Sequence, residues 1–94
     1  LDTPVFHMPV EENTFTVYPN PAVDKVFAQA QLPSHVSGAE MKIFSLKGEE
    51  LAHRTVVGNQ IVHFRVGDYP AGMYIVTLEI EQRVVARKKL MVVR

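Results

Sequence analysis

From Thr14 onward the chain consists of short runs of β-branched and aromatic residues, and this texture restricts it to an all-β fold. Gly, Pro, Asn and Asp separate the runs, and no segment between them has helical periodicity. The seven candidate strands are residues 14–18, 25–31, 41–46, 50–57, 60–66, 73–81 and 84–93. Short strands with turn signals about every 8 to 12 residues predict a seven-stranded antiparallel immunoglobulin-like β-sandwich.

The first run ends in Tyr18-Pro19-Asn20-Pro21, where two prolines enclose one asparagine. Proline has no backbone N–H and fixes φ, and the residue before a proline is pushed toward extended geometry. This segment is therefore predicted to be a rigid, non-helical corner at which the first strand leaves its sheet.

The fourth and fifth runs favour a β-hairpin, because Gly58 suits the first central position of a two-residue turn at Gly58-Asn59. Val57 would then pair with Gln60, which makes one face of the hairpin mostly apolar and the other mostly charged. The apolar face would carry Leu51, His53, Thr55, Val62, Phe64 and Val66, and the charged face would set Arg54 opposite His63 and Ala52 opposite Arg65.

The sixth run has a clear two-residue period, which is typical of a strand with one buried face. Gln82-Arg83 is predicted to reverse the chain into the seventh run. The residues of the buried face would be Tyr74, Val76, Leu78 and Ile80.

No group of residues indicates catalysis or a bound metal. Zinc needs three or four convergent ligands, the chain has no cysteine, and His53 and His63 are predicted to point to opposite faces. The acidic pairs are interpreted as solvated charges, and the glycines are too dispersed for a phosphate-binding loop. We therefore expect no enzymatic activity, no cofactor and no small-molecule substrate. The acidic pairs are Glu11-Glu12, Glu49-Glu50 and Glu79 with Glu81.

Ten basic and ten acidic residues cancel, but the last stretch is cationic. It holds Arg83, Arg87, Lys88, Lys89 and Arg94 and no acid. No aromatic residues alternate with these charges to stack bases, so nucleic-acid binding is not expected. No apolar run approaches the roughly 20 residues that would span a bilayer.

Residues 1–13 contain two prolines and two adjacent glutamates without a sustained period. This composition predicts a linker or the tail of a preceding domain. Because the chain starts at Leu1 rather than at a methionine, we expect it to be the C-terminal piece of a longer protein.

Three segments together carry a family resemblance: TVYPNPAVDKV at 16–26, MKIFSLKGEEL at 41–51 and YPAGMYIVTLEIEQRVVARKKLMVV at 69–93. With them, residues 14–94 resemble the type A C-terminal sorting domain of the type IX secretion system, the Por secretion tail family. Glu49 departs from the family, which often has a basic residue there. The matching motif positions are Pro19, Asn20, Pro21, Gly48, Gly72 and Tyr74, and the basic and aliphatic ending matches at Lys88, Lys89, Leu90, Met91, Val92 and Val93.

The resemblance implies a non-catalytic secretion signal that directs a cargo protein through the type IX outer-membrane translocon. Its partners would be the translocon, its outer-membrane shuttle components and a sortase-like peptidase that removes the domain on cell-surface attachment. The domain would pass through the periplasm to the outer-membrane surface or the exterior.

The alternative hypothesis is a structural or carbohydrate-binding β-sandwich module of a secreted protein. Carbohydrate binders usually present a platform of exposed aromatic rings, whereas most aromatic residues here occupy strand positions that suit a core. These residues are Phe15, Tyr18, Phe27, Phe44, Phe64, Tyr69 and Tyr74.

Residues 88–93 are the predicted translocon-recognition segment. Its last four residues are apolar on both faces of a strand, whereas a sandwich strand needs only one apolar face. An edge strand of this kind could bind a receptor by strand addition, insert its apolar end into a cavity, or pair weakly with a second copy. Alternatively, the linker or another loop covers Met91 and Val93.

Overall fold

The computed structural model describes residues 15–33 and 35–94, which form two antiparallel sheets. Each strand boundary lies within two residues of its predicted position, and the predicted all-β sandwich is confirmed. The proposed linker at 1–13 and the first residue of the proposed first strand, Thr14, lie outside the described residues. The strands are β1 (Phe15–Tyr18), β2 (Lys25–Ala30), β3 (Ala39–Ser45), β4 (Glu50–Val56), β5 (Ile61–Arg65), β6 (Gly72–Ile80) and β7 (Arg83–Val92).

The first sheet has the strand order β1-β2-β5, and the second has the order β4-β3-β6-β7. Alternate residues of every strand contribute to one core between the two sheets. Burial of each large apolar side chain stabilises the fold by about 1.5 to 3 kcal/mol. The largest fully buried side chains are Phe15, Phe64, Met41, Ile43, Leu90, Val26, Val56, Val66, Val76 and Val92.

The predicted hairpin between the fourth and fifth runs is wrong. β4 pairs with β3 and β5 pairs with β2, so Gly58-Asn59 connects the two sheets instead of joining paired strands. The Asn59 side-chain oxygen accepts a hydrogen bond from the Leu32 N–H at 3.1 Å, which ties this connection to the chain after β2. The Val57 N–H donates to the side chain of Gln60 rather than to a strand partner.

Because β4 belongs to the other sheet, its predicted facing is also reversed. Val56 is buried and Ala52 half-buried, and the Arg54 guanidinium lies 5.1 Å from the centre of the Phe64 ring instead of opposite His63. Ala52 pairs with Ile43 rather than with Arg65. The residues predicted for the apolar face of this strand, Leu51, His53 and Thr55, are exposed. For β5 the predicted face is right, since Phe64 and Val66 are buried and Val62 packs against the core.

The hairpin between β6 and β7 turns one residue earlier than predicted. Ile80 pairs with Arg83, so the loop is Glu81-Gln82 rather than Gln82-Arg83. Both loop residues have positive φ, 54° and 65°, as a two-residue type I′ turn requires. The buried face of β6 is as predicted for Tyr74, Val76 and Leu78.

Within the part of the chain that the structure describes, no helix has the length and apolarity needed to cross a membrane.

Candidate functional site

Strand β7 holds the predicted recognition residues and forms one edge of the four-stranded sheet. It pairs with β6 from Ile80↔Arg83 to Gly72↔Val92. The alternation of its last residues is sharp: Leu90 and Val92 lie in the core, Met91 is half-buried and Val93 is 36% exposed. The side chains that β7 offers to a partner at this end are therefore those of Lys89, Met91 and Val93.

The outer edge of β7 is occupied at this end by the Pro19-Asn20-Pro21 corner. The Asn20 amide Nδ2 donates to the carbonyl of Lys89 at 2.8 Å, and its Oδ1 accepts from the N–H of Met91 at 3.0 Å. One side chain thus makes the pair of hydrogen bonds that a neighbouring strand would make. The Tyr18-Pro19 and Asn20-Pro21 peptide bonds that frame it are both cis.

The backbone after the corner continues the same edge. The Ala22 N–H donates to the Met91 carbonyl at 2.8 Å, and the Ala22 carbonyl accepts from the Val93 N–H at 2.9 Å. Ala22 is fully buried and forms a parallel bridge with Val92. Asn20 and Ala22 together act as a short substitute strand, which satisfies the outward backbone groups of β7 between Lys89 and Val93.

Arg94 ties the same end of the sandwich to two loops. Its guanidinium donates to the carbonyl of Val23 at 2.8 Å, to that of Val66 at 3.1 Å, and to that of Tyr69. These acceptors belong to the loop before β2 and to the loop between β5 and β6. The sequence showed Arg94 only as one more C-terminal cation, because its partners lie 25 to 71 residues away.

The other motif positions gather at this end as well. Gly72 pairs with Val92, and Tyr74 pairs with Leu90 on one side and with Ser45 on the other. The Tyr74 side chain is nearly buried and its hydroxyl donates to the Pro70 carbonyl at 2.5 Å. Gly48 lies in the turn that follows Ser45, with φ of 95° in the left-handed region that favours glycine.

A second polar group lies on the outer face of the same sheet, toward its opposite end. The Lys42 Nζ is 3.3 Å from a Glu79 carboxylate oxygen and 3.8 Å from oxygens of both Glu40 and Glu50. The hydrogen bond to Glu79, reinforced by the three carboxylates, raises the pKa of Lys42 above its usual value of 10.5. The Glu79 side chain is only 15% exposed, so its interpretation as a solvated charge is wrong.

Glu40, Lys42 and Glu79 of this group border an open cleft of about 570 Å³, whose lining also includes Thr55 and Gln82. Among residues 15–33 and 35–94, no three His, Asp or Glu side chains are placed to hold a metal ion together. The arrangement is an ion-pair cluster on a sheet surface.

The family comparison matches nearly the whole described chain. Residues 16–93 match the family model described as the secretion system C-terminal sorting domain. The matched range begins within β1, includes the corner at Pro19-Asn20-Pro21, and ends at Val93. No curated protein matches the chain.

Proposed function

The chain belongs to the family of secretion system C-terminal sorting domains, and from that premise we propose that its signal is the end of the sandwich where the Asn20 corner closes on β7. The domain is a C-terminal sorting signal of the type IX secretion system and interacts with that machinery. It directs secretion toward the outer membrane or the cell surface. The family is a non-catalytic one, and we propose no enzymatic activity for this member.

The observation that supports this assignment is the pair of hydrogen bonds between the Asn20 side chain and the backbone of β7. If the backbone edge along Lys89–Val93 were unpaired, a strand of another protein could hydrogen-bond to it. With the edge occupied, strand addition there would have to break four hydrogen bonds, each worth about 0.5 to 1.5 kcal/mol. We therefore propose that the type IX secretion machinery recognises the side chains at this end of β7 and does not pair with its backbone edge.

Residues 88–93 divide into two roles in this proposal. Leu90 and Val92 anchor the strand in the core, Lys88 is half-buried on the same side of the strand, and Lys89, Met91 and Val93 contact the translocon. Lysine beside partly exposed aliphatic groups suits a receptor surface that combines carboxylates with an apolar pocket. Pro19, Asn20, Pro21, Gly48, Gly72 and Tyr74 hold the shape of this end.

Outside the corner, the edge of β7 continues from Arg83 to Lys88. In the described residues this stretch is paired on its β6 side alone. Strand addition or weak homodimerisation through edge strands is proposed for this part of β7.

Family membership supports a proposal for the finer steps of the pathway. The partners proposed are the translocon, its outer-membrane shuttle components and a sortase-like peptidase. The domain would cross the periplasm and be removed at the outer-membrane surface, with cleavage in or before residues 1–13.

A fusion experiment tests the proposed function. The 94-residue chain is attached to the C-terminus of a reporter with a Sec signal, in a host with an intact type IX system and in one that lacks the translocon. Export in the first host and retention in the periplasm in the second are expected. Retention of the fusion in both hosts would refute the assignment as a sorting signal.

A further inference from the structure

The outer face of the three-stranded sheet carries a row of three rings, Tyr18, Phe27 and His63. They are direct cross-strand neighbours on β1, β2 and β5. The ring centroids are 5.8 Å apart for Tyr18 and Phe27, and 6.2 Å apart for Phe27 and His63. Tyr18 is 42% exposed and His63 is exposed, so the row forms part of the molecular surface.

The row is on the outside because these strands bury their other faces. Val17, Val26, Ala28 and Phe64 occupy the intervening positions and pack in the core. The expectation that the aromatic residues serve mainly as core is therefore wrong for Tyr18 and Phe27. A row of three rings across a sheet is a larger apolar surface than single exposed side chains provide.

The charges beside the row all have one sign. Lys25 pairs with Arg65 in the next row of the same face, two residues along from Phe27 and His63. No carboxylate occurs on the outward positions of these three strands, and neither cation forms an ion pair with a carboxylate of the described residues. The remaining outward positions are Thr16, Gln29 and Ile61.

We propose that this face binds an acidic oligosaccharide. A pyranose ring presents C–H groups on an apolar face, and these groups pack favourably against the electron-rich face of an aromatic ring. An anionic substituent of the next sugar would then reach Lys25 and Arg65, and the planar guanidinium of Arg65 can hold a carboxylate with two hydrogen bonds. Gln29 and Thr16, on the other side of the row, supply polar groups for sugar hydroxyls.

The pattern favours a saccharide over a single-stranded nucleic acid. A nucleic acid places a phosphate beside every stacked base and needs cations along the whole groove. Here the two cations lie together on one side of the ring row, which fits a sugar chain with a localised negative charge. The face belongs to the sheet that does not contain β7, so the inference stands independently of the sorting signal.

The test is a titration of the ¹⁵N-labelled 94-residue chain with hexagalacturonate, followed by NMR. Shift changes centred on Tyr18, Lys25, Phe27, His63 and Arg65 are expected, with weaker binding of neutral maltohexaose at equal length. Shift changes confined to another surface, or no change at millimolar hexagalacturonate, would overturn the proposal. Tighter binding of oligothymidylate than of hexagalacturonate would assign the face to nucleic acid instead.

Three variants make the test specific. Lys25→Gln with Arg65→Gln is expected to weaken hexagalacturonate binding at least about tenfold. The loss of a single charge-assisted hydrogen bond already lowers an affinity by a factor of about ten. Arg83→Gln with Arg87→Gln removes the same charge from the other sheet and should bind as the unaltered chain does. Equal weakening by both double variants would show attraction by net charge alone and would reject a defined site. Tyr18→Thr, at an exposed position, is expected to weaken the binding of both hexagalacturonate and maltohexaose, while the NMR spectrum stays that of the folded domain.

Discussion

The Asn20 side-chain oxygen accepts a hydrogen bond from the N–H of Met91 at 3.0 Å, across 71 residues of sequence. The same amide group donates to Lys89, so a corner near the start of the domain completes the strand near its end. Two segments that carry the family resemblance are thereby in direct contact.

Replacement of Asn20 should loosen this contact. Asn20→Ala removes two hydrogen bonds and is expected to lower the free energy of unfolding by about 1 to 2 kcal/mol in urea denaturation. Asn59→Ala removes one side-chain hydrogen bond, the one that Asn59 accepts from the Leu32 N–H, and should lower the free energy of unfolding by less. An Asn20→Ala domain as stable as the unaltered one would show that the corner does not hold β7.

Hydrogen exchange should locate the same effect. In Asn20→Ala, exchange of the Met91 amide is expected to accelerate strongly, because its acceptor is gone. The Leu90 amide, on the strand position that faces β6, provides the internal control and should remain protected. Equal acceleration of both amides would mean that the variant unfolds the strand as a whole.

The stabilising effect of Arg94 is expected to depend on the planar shape of its guanidinium group, and not only on its charge. Arg94→Lys keeps the charge but places a single ammonium where three carbonyls of two loops are now reached. Both Arg94→Lys and Arg94→Gln should therefore lower the melting temperature and speed proteolysis in the loop at 66–70, while Arg83→Lys should leave both unchanged. If Arg94→Lys had the melting temperature and the proteolysis rate of the unaltered domain, the positive charge of Arg94 alone would account for its effect.

The turn at Glu81-Gln82 offers a stabilising change. Neither residue prefers positive φ, whereas Asn-Gly adopts a type I′ turn readily. The double replacement Glu81→Asn with Gln82→Gly is expected to raise the free energy of unfolding by about 1 kcal/mol. Glu81→Gln with Gln82→Glu keeps the composition and the strained backbone, and should leave the stability nearly unchanged. Loss of stability in the Asn-Gly variant would mean that the two native side chains make favourable contacts.

The Lys42 cluster predicts a change in stability at alkaline pH. The pKa of Lys42 is raised in the folded state by Glu79, so the folded domain holds this proton more tightly than the unfolded chain. The resulting stabilisation is complete below about pH 10.5 and disappears as the pH rises through the folded-state pKa. Lys42→Met should therefore be less stable than the unaltered domain at pH 9, by a difference that shrinks at higher pH. Tyr69, whose pKa is raised by burial, titrates in both proteins and cancels in this comparison. If the difference in stability between the two proteins stayed constant from pH 9 to pH 12, the ion pairs of Lys42 would not contribute to the stability of the domain.

The sequence predicts the strands well because each strand is a local pattern. The alternation of Tyr74, Val76 and Leu78 marks a buried face without knowledge of any partner. Which strands pair with each other cannot be read from such local patterns. In β4, small Ala52 and long Arg54 face inward and Leu51 faces out, so the local pattern favours the wrong face and a hairpin that does not form. The role of Asn20 could not be predicted, since a single polar side chain carries no mark of a partner 71 residues away.

The most direct test of the sorting signal concerns the outward side chains of the β7 end. In the reporter fusion, Lys89, Met91 and Val93 are replaced together by Gln, which leaves Leu90 and Val92 in the core. A matched variant replaces Lys47, Leu51 and Val57, one lysine and two apolar residues that are exposed outside β7, by Gln. Thermal unfolding of both purified domains shows that each is folded, and the fraction of reporter at the cell surface is then measured. The first variant should remain in the periplasm while the matched variant is exported like the unaltered chain. Equal export of the two folded variants would place the signal elsewhere on the domain.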